Sequence, residues 1–221
     1  MIMVESSLLA SADLFAGLDP EHIDPIAAAS SVRKLRRGDV LFLEGDDPED
    51  LYIVLGGRVA ISNRSVDGRE SVVALMETGD LFGEMGLFGS HGRSAGARAL
   101  EPSDVIVVPY AHVRQLYEDH PQLLWRVVDM LSNRLRNMDA ALADSVFLDV
   151  TGRTAKRLLE LAGESDSFEL PITQEELAGM VGAPRERVNK AIASFIKLGW
   201  LDQHDRTYRI TDRQQLEIRA R

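Results

Sequence analysis

Along residues 32–108 the apolar positions come in short runs rich in Val, Ile, Leu and Tyr. These are broken by glycine turns at Gly38, Gly45, Gly56-Gly57, Gly68, Gly79 and Gly83. Alternation is visible at Leu41 and Leu43 and again at Tyr52 and Val54. Gly56-Gly57 and Asp67-Gly68 are hairpin turn signals. Many short strands about 8–12 residues apart predict an antiparallel barrel or jelly roll. Ahead of it, residues 6–29 read as short helices around Leu8, Leu9, Leu14, Phe15, Ile23 and Ile26. After Pro109 the period becomes helical: Ala111–His120 forms a short helix, and Pro121 suits the first turn of a longer one.

In that longer helix Leu124, Val128, Leu131, Leu135, Met138 and Leu142 follow a heptad a/d spacing. So narrow a stripe suits a partner helix, most simply the same helix of a second copy in a parallel dimer. The other reading is an amphipathic helix lying on the barrel, for which the flanking Val127 and Val146 supply packing. Phe147-Leu148-Asp149-Val150-Thr151-Gly152-Arg153 breaks the seam and reads as a hinge. A further helix carries Ala155, Leu158, Leu159 and Ala162 on one face, and Phe168, Leu170 and Ile172 alternate as a short strand.

Thr173-Gln174-Glu175-Glu176 is a capping box that opens a helix with Leu177, Ala178 and Val181 inward. Gly182 supplies a turn, and Pro184 can occupy the first position of the next helix. There Val188, Ile192, Phe195 and Ile196 share an apolar face, and Arg185, Glu186, Asn189 and Lys190 occupy the outer one. This is a helix-turn-helix pattern. Trp200-Leu201 and Tyr208-Arg209-Ile210 flank His204-Asp205-Arg206 as a β-hairpin wing. The chemistry suits a DNA major groove: Arg185 can bond O6 and N7 of guanine, and Glu186 can accept from N4 of cytosine. Lys190 reaches a base or a phosphate. Arg187, Thr173, Gln174 and Arg206 suit phosphate contacts, which position without specifying. The competing reading is a solvated charged helix face.

Charge supports that placement. The 221-residue chain has a net charge of −10, but residues 1–149 carry 13 Lys and Arg against 24 Asp and Glu, whereas residues 150–221 carry 12 against 11. A DNA-binding surface therefore belongs in the C-terminal third, and the acidic remainder repels DNA. There is no cysteine, which excludes a disulfide scaffold, a Cys-ligated metal and a Cys nucleophile. No apolar run is long enough for a membrane helix and no secretory leader is evident, so a cytoplasmic location is expected. The five histidines are scattered, with no close pair and no nucleophile elbow or phosphate-binding Walker loop, which argues against an enzyme and a metal centre.

At the end of the barrel stands Phe82-Gly83-Glu84-Met85-Gly86-Leu87-Phe88-Gly89-Ser90-His91-Gly92-Arg93-Ser94-Ala95. Gly83 lets backbone approach a ligand. Glu84 is an acceptor for a ribose 2′-hydroxyl. Residues near Gly86–Phe88 can form a short helical turn with N–H groups toward an anion. Arg93 offers a permanently charged, bidentate clamp for a cyclic phosphate, and Ser94 a hydroxyl donor. The alternative is an internal Glu84–Arg93 ion pair closing the loop.

With its glycine-punctuated barrel, this cassette, the long helix, the Phe-Leu-Asp-Val-Thr-Gly-Arg hinge and an Arg-Glu reading pair, the chain resembles the cyclic-AMP receptor protein (Crp/Fnr-type) family of bacterial regulators. The likeness covers almost its whole length. It implies an α+β fold: a jelly-roll barrel with flanking helices over 1–120, a dimerisation helix over 121–146, a hinge over 147–153 and a winged helix-turn-helix over 154–221. It assigns ligand contacts to Gly83, Glu84, Met85, Arg93 and Ser94. It implies a homodimer on an inverted repeat of TGTGA-like half-sites, with RNA polymerase as a further partner.

Two positions depart from the family pattern. Met138 and Asp139 stand where members that bind cyclic AMP carry a neutral polar pair. Asp139 can accept from the adenine N6 amino group or from N1–H and N2–H of guanine, or it can repel the ligand. Lys190 replaces a more usual arginine. The expectation is a regulator gated by cyclic AMP. A cyclic-GMP-responsive protein, or a nucleotide-independent one with a vestigial pocket, is the alternative.

Overall fold

The computed structural model describes residues 4–64, 70–89, 91–170, 172–205 and 207–221. The hairpin tip at Asp67-Gly68, Ser90 of the cassette and Arg206 of the wing lie outside the described residues. The chain divides into two compact units, Met1–Gly68 with Val72–Arg134, and Arg69–Ser71 with Leu135–Arg221.

In the first unit α1 (Ser6–Ala10) and α2 (Pro20–Ala29) precede eight strands. These are β1 (Ser31–Leu35), β2 (Val40–Phe42), β3 (Asp50–Gly56), β4 (Val59–Arg64), β5 (Glu70–Met76), β6 (Leu81–Phe82), β7 (Gly96–Ala99) and β8 (Ser103–Pro109). They form two four-stranded sheets, β1-β8-β3-β6 and β2-β7-β4-β5, the expected jelly-roll arrangement. The short helix α3 (Met85–Phe88) follows β6, and α4 (Tyr110–Asp119) follows β8. A 3₁₀ turn at Pro121–Leu123 leads into α5 (Leu124–Phe147), which starts in the first unit and ends in the second.

The sequence suggested simple alternation around Tyr52 and Val54, but β3 is buried on both faces. Leu51 and Ile53 join a core with the helices, including Leu14, Phe15, Ile26 and Val113. Tyr52 and Val54 join a second core with Phe42, Val59, Phe82 and Val105 of both sheets. A sheet covered on each side reads as a continuous apolar run. Within α5 the stripe divides the same way. Val127 and Met130 pack into the helix-side core, whereas the seam residues Leu135, Met138 and Leu142 are 59%, 68% and 64% exposed. Val146, expected to pack within the chain, is 68% exposed instead.

The second unit holds α6 (Val150–Ala162), β9 (Ser167–Glu169), α7 (Gln174–Val181), α8 (Arg185–Lys197), β10 (Leu201–His204), β11 (Thr207–Ile210) and α9 (Arg213–Arg219). Its sheet runs β10-β11-β9, and Leu158, Leu177, Val188, Phe195, Tyr208 and Leu216 are buried. The expected hinge is shorter than 147–153. Asp149 caps α6 by accepting from Gly152 N at 2.8 Å, so only Leu148 and Asp149 lie between helices. The expected strand through Ile172 stops at Glu169, where its pairing with β11 ends. The sequence offered no expectation for α9, which Asp212 caps and which buries Leu216. Among the described residues no helix is long and apolar enough to cross a membrane.

Candidate functional site

The cassette is built at one end of the first sheet. β3 pairs with β6 through Tyr52 and Phe82 and with β8 through Asp50 and Pro109. That pairing gathers Gly83, Asp50 and Tyr110, although they are far apart in the chain. Arg93 reaches all three: Nη1 donates to Gly83 O at 2.8 Å and to Tyr110 Oη at 3.0 Å, and Nη2 donates to Asp50 O at 2.7 Å. Its guanidinium lies 4.1 Å from the centre of the Phe42 ring, a cation–π contact. The residue is 6% exposed. Its backbone is fixed by Arg93 N donating to Asp46 O and Gly45 N donating to Arg93 O, both at 2.8 Å. Gly83 sits at φ +79, and a Cβ there would lie 2.8 Å from Arg93 Nη1 and 3.3 Å from Tyr52 Cδ2. The structure gives this glycine a role that the sequence did not show, since a side chain here would collide with this arginine.

Glu84, at the start of α3, is fully buried. Among the described residues its ion-pair partner is Arg134 of α5 and not Arg93, so the alternative of a Glu84–Arg93 pair closing the loop is replaced. Arg134 Nη2 also donates to Leu81 O at 3.0 Å. Burial pushes the Glu84 carboxyl above its ordinary pKa, with the Arg134 guanidinium opposing. Among the described residues two buried atoms of the cassette have no hydrogen-bond partner: Nε of Arg93, a donor, and Oε2 of Glu84, an acceptor. Ser94 is exposed and donates a long contact, 3.5 Å, to Sδ of the exposed Met85. Met138 and Asp139 lie exposed on α5 in the second unit.

In the second unit the capping box forms as expected, Thr173 Oγ1 accepting from Glu176 N at 3.2 Å and Glu176 Oε2 from Thr173 N at 2.8 Å. Gly182 takes the left-handed conformation at φ +67 that closes α7. Pro184 stands one position earlier than expected. Its ψ of 137 is extended, so it caps α8 and Arg185 opens it. Val188, Ile192 and Phe195 are buried, Ile196 is 37% exposed, and Arg185, Glu186, Arg187, Asn189 and Lys190 are exposed together. Thr173 and Gln174 each have a partner within the unit. The Thr173 hydroxyl donates to Glu176 Oε2 at 2.9 Å, and Gln174 Nε2 donates to Tyr208 Oη at 2.6 Å.

Sequence reading missed Arg134, Tyr110 and Phe42. Arg134 sits between seam positions 131 and 135 and reads there as an ordinary flanking charge. It also missed that His22 and His120 meet edge to face at 4.3 Å. Asp19, Glu21 and His22 bring one possible ligand atom each within 4.8 Å of one another. Both carboxylates are exposed, His22 is half-buried, and among the described residues its buried Nδ1 has no hydrogen-bond partner.

Residues 32–120 match the cyclic nucleotide-binding domain and residues 152–219 the Crp-like helix-turn-helix domain. The chain is 35% identical to the CRP-like cAMP-activated global transcriptional regulator of Mycobacterium tuberculosis, over 97% of this chain and 99% of that one. The chain belongs to the CRP family of transcriptional regulators. It is also 33% identical to the cAMP-activated regulator Vfr of Pseudomonas aeruginosa, over 81% of this chain and 88% of that one. Among solved structures, the c-di-GMP-responsive regulator CLP of Xanthomonas campestris superposes with a TM-score of 0.74 at 28% identity, covering 87% of this chain and 99% of that one. The catabolite activator protein of Thermus thermophilus gives 0.54 at 29%, covering 95% and 98%. Membership accounts for the barrel and helix-turn-helix on one chain, and it places the protein among regulators rather than enzymes.

Proposed function

We propose that this CRP-family regulator is gated by cyclic AMP and binds an inverted repeat as a homodimer. The observation that carries the ligand reading is the pair of orphaned buried atoms. A donor on Arg93 and an acceptor on Glu84 fit a ligand that brings an anionic oxygen and a hydroxyl, as a cyclic nucleotide does through its phosphate and its ribose 2′-OH. An empty vestigial pocket would leave both desolvated without compensation. Gly83 and Met85 line the approach, and Ser94 adds a donor at the rim. The names of relatives activated by cAMP favour adenine. Met138 and Asp139 are assigned to the base, and the exposed carboxylate of Asp139 favours a second reading, cyclic GMP, through N1–H and N2–H.

The exposed seam Leu124, Val128, Leu131, Leu135, Met138 and Leu142 supports a two-fold α5–α5 contact. On DNA, Arg185 and Glu186 read base edges and Lys190 a base or phosphate. Arg187, Asn189 and Arg206 support the backbone, with Thr173 and Gln174 in a secondary role. TGTGA-like half-sites then lie about one helical turn apart. Leu148 O accepts from Arg153 Nη1 at 2.8 Å and Val181 O from Arg153 Nε at 2.9 Å, linking the end of α5 to the turn of the reading head. The ligand shifts the DNA-binding state only by its difference in affinity for the two arrangements. RNA polymerase as a further partner and a cytoplasmic location complete the reading. Calorimetric titration of cyclic AMP and cyclic GMP into wild type and Arg93→Ala tests it. The expectation is saturable heat with cyclic AMP, abolished in the variant. No heat with either nucleotide contradicts it.

A further inference from the structure

Arg93 is held from behind. Its planar guanidinium has five N–H donors. Both on Nη1 go to Gly83 O and Tyr110 Oη, and one on Nη2 goes to Asp50 O. Among the described residues Nε has no partner although the atom is buried, and Tyr52 is a further side-chain partner of the guanidinium. The unpartnered Nε–H matches an oxygen of a phosphate group. The guanidinium lies over the Phe42 ring, 4.1 Å from its centre.

Tyr110 occupies the junction of this arrangement. It is 3% exposed at the start of α4, and its backbone N donates to Glu49 O at 2.8 Å, tying it to the start of β3. Its hydroxyl accepts from Arg93 Nη1 and donates to Gly83 O. Burial pushes the phenol up to about 12, so the hydroxyl keeps its proton at any working pH.

We propose that Tyr110, together with Phe42, is a positioning residue: it fixes the rotation of Arg93 so that the unpartnered Nε–H meets the phosphate of the ligand. The inference rests on the reading of the cassette as a cyclic-nucleotide site. A preorganised donor binds more tightly because less ordering remains at the moment of binding. The opposite possibility is that the same contacts hold Arg93 away from the phosphate and compete with it. The two differ in sign.

The test uses full-length protein and titrates cyclic AMP and its two phosphorothioate diastereomers, in which sulfur replaces one or the other exocyclic oxygen. Wild type, Tyr110→Phe and Phe42→Leu are compared, with melting curves as a check on folding. Tyr110→Phe keeps the ring and removes only the hydroxyl. The expected result is about tenfold weaker binding of cyclic AMP, with the preference between diastereomers reduced toward unity. Phe42→Leu should move both quantities the same way. A merely structural role would lower the melting temperature and leave the diastereomer ratio unchanged. Unchanged or tighter binding by Tyr110→Phe overturns the inference while leaving the ligand reading intact. Absence of binding by wild type overturns both.

Discussion

Replacing Gly83 with alanine separates a backbone cost from a site cost. At φ +79 an alanine is strained by about 1–2 kcal/mol. The new Cβ would also lie 2.8 Å from Arg93 Nη1. The arginine tip is flexible and can retreat, but it then gives up its bonds to Gly83 O and Tyr110 Oη, worth about 1 kcal/mol each net. The expected total is about 3–4 kcal/mol. Gly38 provides the control, since it sits at φ +89 and a Cβ added there would meet nothing within 4 Å. Gly38→Ala should show only the backbone component, about 1–2 kcal/mol, and full ligand affinity. Urea unfolding followed by a barrel-specific probe, with nucleotide titration of each variant, measures both quantities. Equal destabilisation by the two substitutions, with equal affinity for cyclic AMP, would refute the view that Gly83 exists to make room for Arg93.

Further predictions concern the other parts of the molecule. Arg185→Ala should cost about 1–3 kcal/mol on a specific operator and relax discrimination at one guanine, read by competition against single-base operator variants. A uniform loss on all sequences would assign Arg185 to the phosphates. Glu84 has its pKa raised by burial, so its ionised form is disfavoured in the folded barrel. Below its unfolded value of 4.5 the carboxyl is protonated in both states and no penalty exists. The penalty develops as pH rises from that value to the raised folded value and is complete above it. Glu84→Gln should therefore stabilise the ligand-free protein at pH 7 and progressively less toward pH 4, while weakening nucleotide binding. Leu142→Asp, at a position 64% exposed in the single chain, should turn the dimer into a monomer in sedimentation with the barrel melting transition unchanged.

Local signals were legible where a few neighbouring residues decide the structure. The Thr173 capping box, the Gly182 turn and the buried face of α8 depend on caps and a 3.6-residue period, and they stand as read except for Ile196, which is exposed. The strand region was legible from its glycines, but not the two-sided burial of β3, because that depends on what covers each face. α9 escaped notice because it is one short helix whose existence rests on the Asp212 cap and the burial of Leu216. The cassette was visible as a motif, and its chemistry as donors and acceptors. Its wiring was not: Glu84 meets Arg134 at a separation of 50 residues, and Arg93 meets Asp50 at 43. Such contacts are set by strand pairing, which no spacing in the chain records.

The most direct measurement of the central claim is a mobility shift of the full-length protein on an inverted repeat of TGTGA-like half-sites, with and without cyclic AMP and cyclic GMP. The account predicts a complex of dimer stoichiometry that tightens with cyclic AMP in wild type and does not respond in Arg93→Ala. Equal affinity for the operator with and without either nucleotide, in both proteins, would contradict it.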